Sequence, residues 1–154
     1  MAKIEIEVER KEFKEFYEMV ELCNKGILID NVAVLFKSKM SYGISRNLRD
    51  LKNLYLTDSD HSNKILVDYY NELKTLREKY CIKTATGIYM PIKEKEKELE
   101  SFFNMLKDKY KEQISENNKF LEEKEKISIY TVDNENFTTL PQDIADKLFL
   151  MRSE

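Results

Sequence analysis

The residues best equipped for chemistry in this 154-residue chain are few and scattered. Its one histidine, His61, stands beside Asp58 and Asp60. One imidazole and two carboxylates can hold a metal ion or pass a proton. No second His or Cys completes a coordination set, however, so His61 reads as a helix-start residue in solvent. The two cysteines, Cys23 and Cys81, read as small core residues, the usual place of a free thiol. Their spacing permits a disulfide, but a reducing compartment argues against one. The three glycines are too far apart for a phosphate-binding loop, and the nucleophile-elbow pattern is absent. Carboxylates are so frequent that pairs four apart arise by chance and do not mark an acid and a base. No catalytic, cofactor-binding or metal-ligating residue is assigned, and no cofactor is expected.

One local pattern stands out against an acidic background. Lys37, Lys39, Arg46, Arg49 and Lys52 make one helix basic, with Ser41, Tyr42, Ser45 and Asn47 between them as further hydrogen-bonding groups. Such a face can meet phosphates or an acidic protein surface. The competing reading is a solvated face balanced by the Glu-rich first helix, where exposed ion pairs contribute little. Tyrosines are the second pattern. Tyr69, Tyr70, Tyr80 and Tyr89 lie on or near one helical hairpin, and exposed tyrosines are common interface anchors. Lys37, Lys39, Arg46, Arg49, Lys52, Tyr70 and Tyr89 are therefore the candidate partner-binding residues.

The elements that would carry them follow from spacing. Two amphipathic stripes dominate. The first runs Ile65, Leu66, Tyr69, Leu73, Leu76, Tyr80 in Ser62–Tyr80. The second runs Leu99, Phe102, Phe103, Leu106, Tyr110, Ile114, Leu121 in Ile92–Leu121. Steps of three and four place each set on one helix face, and two such stripes should pair antiparallel. Asn117 interrupts the second stripe as a polar seam residue that sets register or meets water. Between the stripes, Cys81–Thr84 and Ile88–Met90 flank Ala85-Thr86-Gly87, a three-residue loop with Gly at its left-handed position, which predicts a β-hairpin. Pro91 then suits the first turn of the following helix.

Outside the hairpin, Lys3–Glu9 alternates strictly and reads as a half-buried strand. Arg10–Leu22 switches to helical spacing through Phe13, Phe16, Tyr17 and Val20, and ends at Asn24-Lys25-Gly26. Asp30 or Asn31 is read as the cap of a helix over 31–56, with the stripe Phe36, Met40, Ile44, Leu48, Leu51, Tyr55. Gly43 within it marks a kink, a close backbone contact or a break. Thr57-Asp58-Ser59-Asp60 is read as the cap cluster opening the next helix. Ile127–Val132 is the natural partner of the first strand. Thr139-Leu140-Pro141-Gln142 is read as a capping box starting a last helix through Ile144, Leu148 and then Phe149 or Met151.

The fold class is thus α+β and mostly α. It is an antiparallel long-helix hairpin with a small β-hairpin at its tip, plus a small sheet joining the N-terminal strand to the strand near 127–132. One domain is expected, with the hairpin over 62–121 and a terminal module over 1–56 and 127–152. At 36% charged residues the surface is large, but 11% aromatics rule against disorder. The net charge of −3 gives no overall pull toward nucleic acid. No run is long enough to span a membrane. Six glutamates in the first twenty residues are the opposite of a signal peptide, so a cytosolic chain is expected.

The order of elements, with LREKYCIK ending one helix, SFFNMLKDKYKEQ in the next, then ISIYTVD and a closing LPQDIADKLFLM, resembles a family of small bacteriophage and mobile-element proteins of low-GC Gram-positive bacteria. The Lys, Glu, Ile and Asn bias agrees with such a genome. The resemblance implies an origin and a stoichiometric rather than catalytic role in the host cytoplasm. It offers no catalytic residues to carry over. The expected function is binding to a host or phage protein, as an inhibitor of a defence complex or an accessory in virion assembly. Nucleic-acid binding through the basic helix 37–52 is the alternative. Self-association is also expected, because two-strand sheets leave edges and a long hairpin can pair with a copy of itself.

Overall fold

The computed structural model describes Ala2–Ser153. It is α+β and mostly α, with 65% helix and 18% strand. The chain divides into two compact units, Met1–Ser59 with Leu121–Glu154, and Asp60–Phe120. The second corresponds closely to the hairpin expected over 62–121.

In the first unit, strand β1 (Ala2–Glu9) pairs antiparallel with β6 (Lys124–Thr131), Ile4 opposite Ile129 and Ile6 opposite Ile127. The alternation explains the burial: Ile127, Ile129 and Thr131 face the core with Val8, while Ile4 near the strand start stays exposed. Helix α1 (Arg10–Lys25) lays Phe13, Phe16, Tyr17, Val20 and Cys23 on that core and stops at Gly26, whose φ of 104° suits glycine. Each large apolar side chain so buried stabilises by about 1.5–3 kcal/mol relative to exposure.

The segment before the basic helix departs from expectation. Strands β2 (Leu28–Ile29) and β3 (Val32–Ala33) pair across Asp30 and Asn31, with φ of 51° and 64°. Two consecutive left-handed residues are what a tight two-residue hairpin requires, and Asp and Asn tolerate them. They turn a hairpin instead of capping a helix. Helix α2 (Ser38–Ile65) starts later and is continuous through Gly43. It also runs through Thr57–Asp60, where a break was expected. Thr57 donates back to the Asn53 carbonyl at 2.9 Å and Asp58 lies 3.7 Å from Arg10, so neither side chain ends the helix.

The second unit holds the end of α2 and helix α3 (Val67–Tyr80), the break falling at Leu66. Strands β4 (Cys81–Lys83) and β5 (Tyr89–Pro91) form the expected hairpin, with Gly87 at φ 84°. Pro91 closes β5 opposite Cys81 and does not open the next helix. A 3-10 turn over Lys93–Lys95 leads into α4 (Glu96–Lys109), and the helix expected to reach Leu121 is interrupted at Tyr110 before α5 (Lys111–Glu122). Helices α3 and α4 pair antiparallel: Tyr69 meets Tyr110, Glu72 meets Lys109 and Tyr80 meets Phe102. Asn117 is half-buried, and its side-chain oxygen finds no protein donor.

The chain closes in the first unit with α6 (Gln142–Lys147), which packs Ile144 and Ala145 inward. Pro141 precedes it and no side chain caps it, so the Thr139 capping box does not form. Leu148 and Met151 are buried, whereas Phe149 is exposed. None of the described helices is long and apolar enough to cross a membrane.

Candidate functional site

The basic helix was the sequence's first candidate. At 3.6 residues per turn, Lys39, Arg46, Arg49 and Lys52 of α2 spread over an arc of about 140°, roughly opposite the buried Met40, Ile44 and Leu51. That arc is partly neutralised within the protein. Arg46 Nη2 donates to the Tyr130 hydroxyl at 2.6 Å, and its guanidinium lies 4.8 Å from the Tyr130 ring centroid. Asp50 stands 3.8 Å from Arg46, 3.4 Å from Arg49 and 3.6 Å from Lys3. Lys37, one residue ahead of the helix, donates to the Glu135 carbonyl at 3.0 Å. Lys39, Arg49 and Lys52 are exposed. The two tyrosine candidates lie in the second unit. Tyr70 is exposed beside Tyr69, and Tyr89 is half-buried with Lys83 over its ring. Neither shares a unit with the basic arc.

Asn47 is the residue the sequence reading undervalued. It is wholly buried, and its side-chain amide bonds the backbone of Tyr130 on β6 in both directions: Nδ2 donates to the carbonyl at 3.1 Å, and Oδ1 accepts from the N–H at 2.8 Å. Its place on the stripe Met40, Ile44, Asn47, Leu51, in steps of four, three and four, was the available signal.

His61 is not at a helix start. It lies in the last turns of α2, with its ring 4.2 Å from that of Phe120. Asp58, its expected companion, belongs to another cluster. Arg10 stands 2.6 Å from Glu123, 3.3 Å from Glu125 and 3.7 Å from Asp58. Burial pushes the Glu125 carboxyl up to about 7, its hydrogen bond with Asp58 and the Asp58 charge push the same way, and Arg10 opposes them. Asp58 Oδ2 and Glu125 Oε1 are buried with no N–H or O–H group of the protein donating to them. A carboxyl proton held by the pair fits there. Among the described residues, no three His, Cys, Asp or Glu side chains gather as metal ligands. Both cysteines are free, and burial pushes the Cys23 thiol up to about 11, which keeps it protonated and unreactive.

The most exposed apolar surface of the first unit lies elsewhere. Leu28 is 69%, Val32 68% and Leu35 81% exposed on and just after the β2–β3 hairpin. Val32 and Leu35, with Ile29, Phe36 and Pro141, line a groove of about 570 Å³, and Leu28 is exposed on the same hairpin outside it. The run GILIDNVAVLF over 26–36 contains the signal, an apolar stretch broken only by Asp-Asn.

No family model, curated protein or solved structure matches the chain.

Proposed function

We propose that this chain is a non-enzymatic binding protein that acts by stoichiometric contact with another protein. The β2–β3 hairpin and the segment through Phe36 form the contact element. The observation that carries this reading is the exposure of Val32 and Leu35 on one groove, with Leu28 exposed on the same hairpin. Exposed apolar side chains grouped on a short hairpin are a feature of protein–protein contact sites. In line with the resemblance to phage and mobile-element proteins, the partner is a host defence complex or a virion component, met in the host cytoplasm. Nucleic-acid binding through α2 ranks second, because Arg46 is already engaged by Tyr130 and Asp50 offsets its neighbours.

Quantitative capture from host lysate tests it, comparing the natural chain with Leu28→Asp/Leu35→Asp. At least one protein is expected at fixed stoichiometry on the natural chain and lost from the variant. Capture that is absent, or that survives the double substitution, overturns the reading. Retention on DNA that falls steeply with salt and disappears in Lys39→Glu/Arg49→Glu would favour the nucleic-acid alternative.

A further inference from the structure

The second unit closes very little core of its own. Among the described residues of Asp60–Phe120, only Leu66, Tyr80 and Leu99 are fully buried apolar side chains. The first unit buries seventeen residues in one cluster. A pair of helices shares one seam, and its outer face is covered only when another layer packs on it.

That outer face is shaped to receive a layer. Leu76 on α3 and Phe102, Met105 and Leu106 on α4 line a groove of about 600 Å³. Met105 is 63% exposed. At one end Lys109 Nζ meets Glu72 at 2.8 Å, and this hydrogen bond holds the Glu72 carboxyl below the usual range. The lining residues recur at steps of three and four on both helices, the spacing of a packing seam rather than of a solvated face.

Charge decides what fits. Residues 60–120 carry twelve basic and eleven acidic side chains, whereas the rest of the chain carries fourteen and eighteen. A strongly basic or acidic partner finds no net field to steer it here. A near-neutral face of mixed sign is complementary to itself across a twofold axis, with little net repulsion between copies. Two fourteen-residue helices, each about 21 Å long and about 10 Å apart, present roughly 400 Å² per copy in projection, about 800 Å² for a pair of copies, which is short of a standard interface and fits only a weak contact.

We infer that the α3–α4 face is a homodimer interface, on which a second copy lays its own α3–α4 face to make a four-helix layer. Met105 of each copy enters the groove of the other, where its flexible thioether adapts to an irregular apolar wall. The contact is reversible, in the micromolar range, because its area is small. This inference does not depend on the contact element proposed for the first unit.

Sedimentation velocity of the full chain, from about 1 to about 200 μM, tests it. The expected result is a concentration-dependent shift from monomer to dimer. Met105→Glu should weaken the dimer at least about tenfold with circular dichroism unchanged, and Thr75→Arg, an exposed substitution in the same groove, should do likewise. Leu35→Asp should leave it intact. A monomer throughout the range overturns the inference. So does a dimer indifferent to both groove substitutions, or one that Leu35→Asp dissociates.

Discussion

The side chain of Asn47 bonds Tyr130 as a neighbouring strand would, donating to its carbonyl at 3.1 Å and accepting from its N–H at 2.8 Å. Tyr130 pairs across the sheet with Lys3, and its own backbone groups point away from β1 toward α2. Two residues on, the C-terminal segment takes over. Val132 donates to the Met151 carbonyl, and Ser153 donates back to Val132. The outer edge is thus closed at the C-terminal end of β6 by an amide and, just beyond it, by backbone, which removes that end as a site for unwanted strand pairing.

Asn47→Ala should therefore cost about 2–4 kcal/mol, since it strands a buried donor and a buried acceptor together. Asn47→Asp keeps only the acceptor and should be comparably unstable at neutral pH. Urea denaturation of the three proteins checks both. A loss below about 0.5 kcal/mol for the alanine variant would show that water replaces the amide at no cost.

Gly43 is the one glycine whose smallness is used for close approach. A Cβ there would sit 2.9 Å from Met151 Cε and 3.3 Å from Val132 Cγ1. Alanine gains about 1 kcal/mol of helix propensity, and the flexible end of Met151 can yield, so Gly43→Ala should change stability by less than about 1 kcal/mol. Gly43→Leu has no such room and should cost about 3 kcal/mol or more by forcing α2 from β6. Thermal denaturation distinguishes the two.

The carboxyl pair makes a pH prediction with a definite sign. Glu125 titrates near 7 in the folded protein, well above an ordinary carboxyl, chiefly because it is buried and then because Asp58 faces it. The folded chain then holds more protons than the unfolded chain between about pH 4.5 and 7. This group's contribution is full below that window and is lost as pH rises through it. Glu125→Gln should stay hydrogen-bonded without a charge and flatten the dependence. Measuring unfolding free energy at pH 5 and pH 7.5 in both proteins decides it. Equal pH slopes would rule the pair out as the cause.

Arg46 and Arg49 look alike in sequence and should behave differently. Arg46→Ala loses a hydrogen bond and a ring contact with Tyr130 and should cost about 1–2 kcal/mol. Arg49 is 64% exposed, and its removal should stay within about 0.5 kcal/mol. Paired denaturation curves test this directly.

What the sequence made legible was whatever a single periodicity controls. The stripe Phe13, Phe16, Tyr17, Val20 and the alternation in β1 and β6 each report one face against one core, and they hold in the structure except at Ile4, which stays exposed. What it hid was choice among partners for polar residues. Asp30 and Asn31 cap helices or turn hairpins equally well, and only the apolar residues on both sides select the turn. Thr57 bonds the Asn53 carbonyl within the helix, and Asp58 turns toward Arg10, which is 48 residues away in sequence. The exposed apolar surface near β2 and β3 was hidden for a related reason. Exposed and buried leucines look the same in a sequence, and no spacing tells Leu28 and Leu35 from the leucines of the core.

The pairing of Ala2 with Thr131 has a consequence at the ribosome. The mate of β1 emerges only after more than 120 further residues, about 6–25 s at usual elongation rates. Until then the aromatic side of α1 has no sheet to rest on. The nascent chain is thus open to chaperones, and to premature clumping, for the whole of that interval.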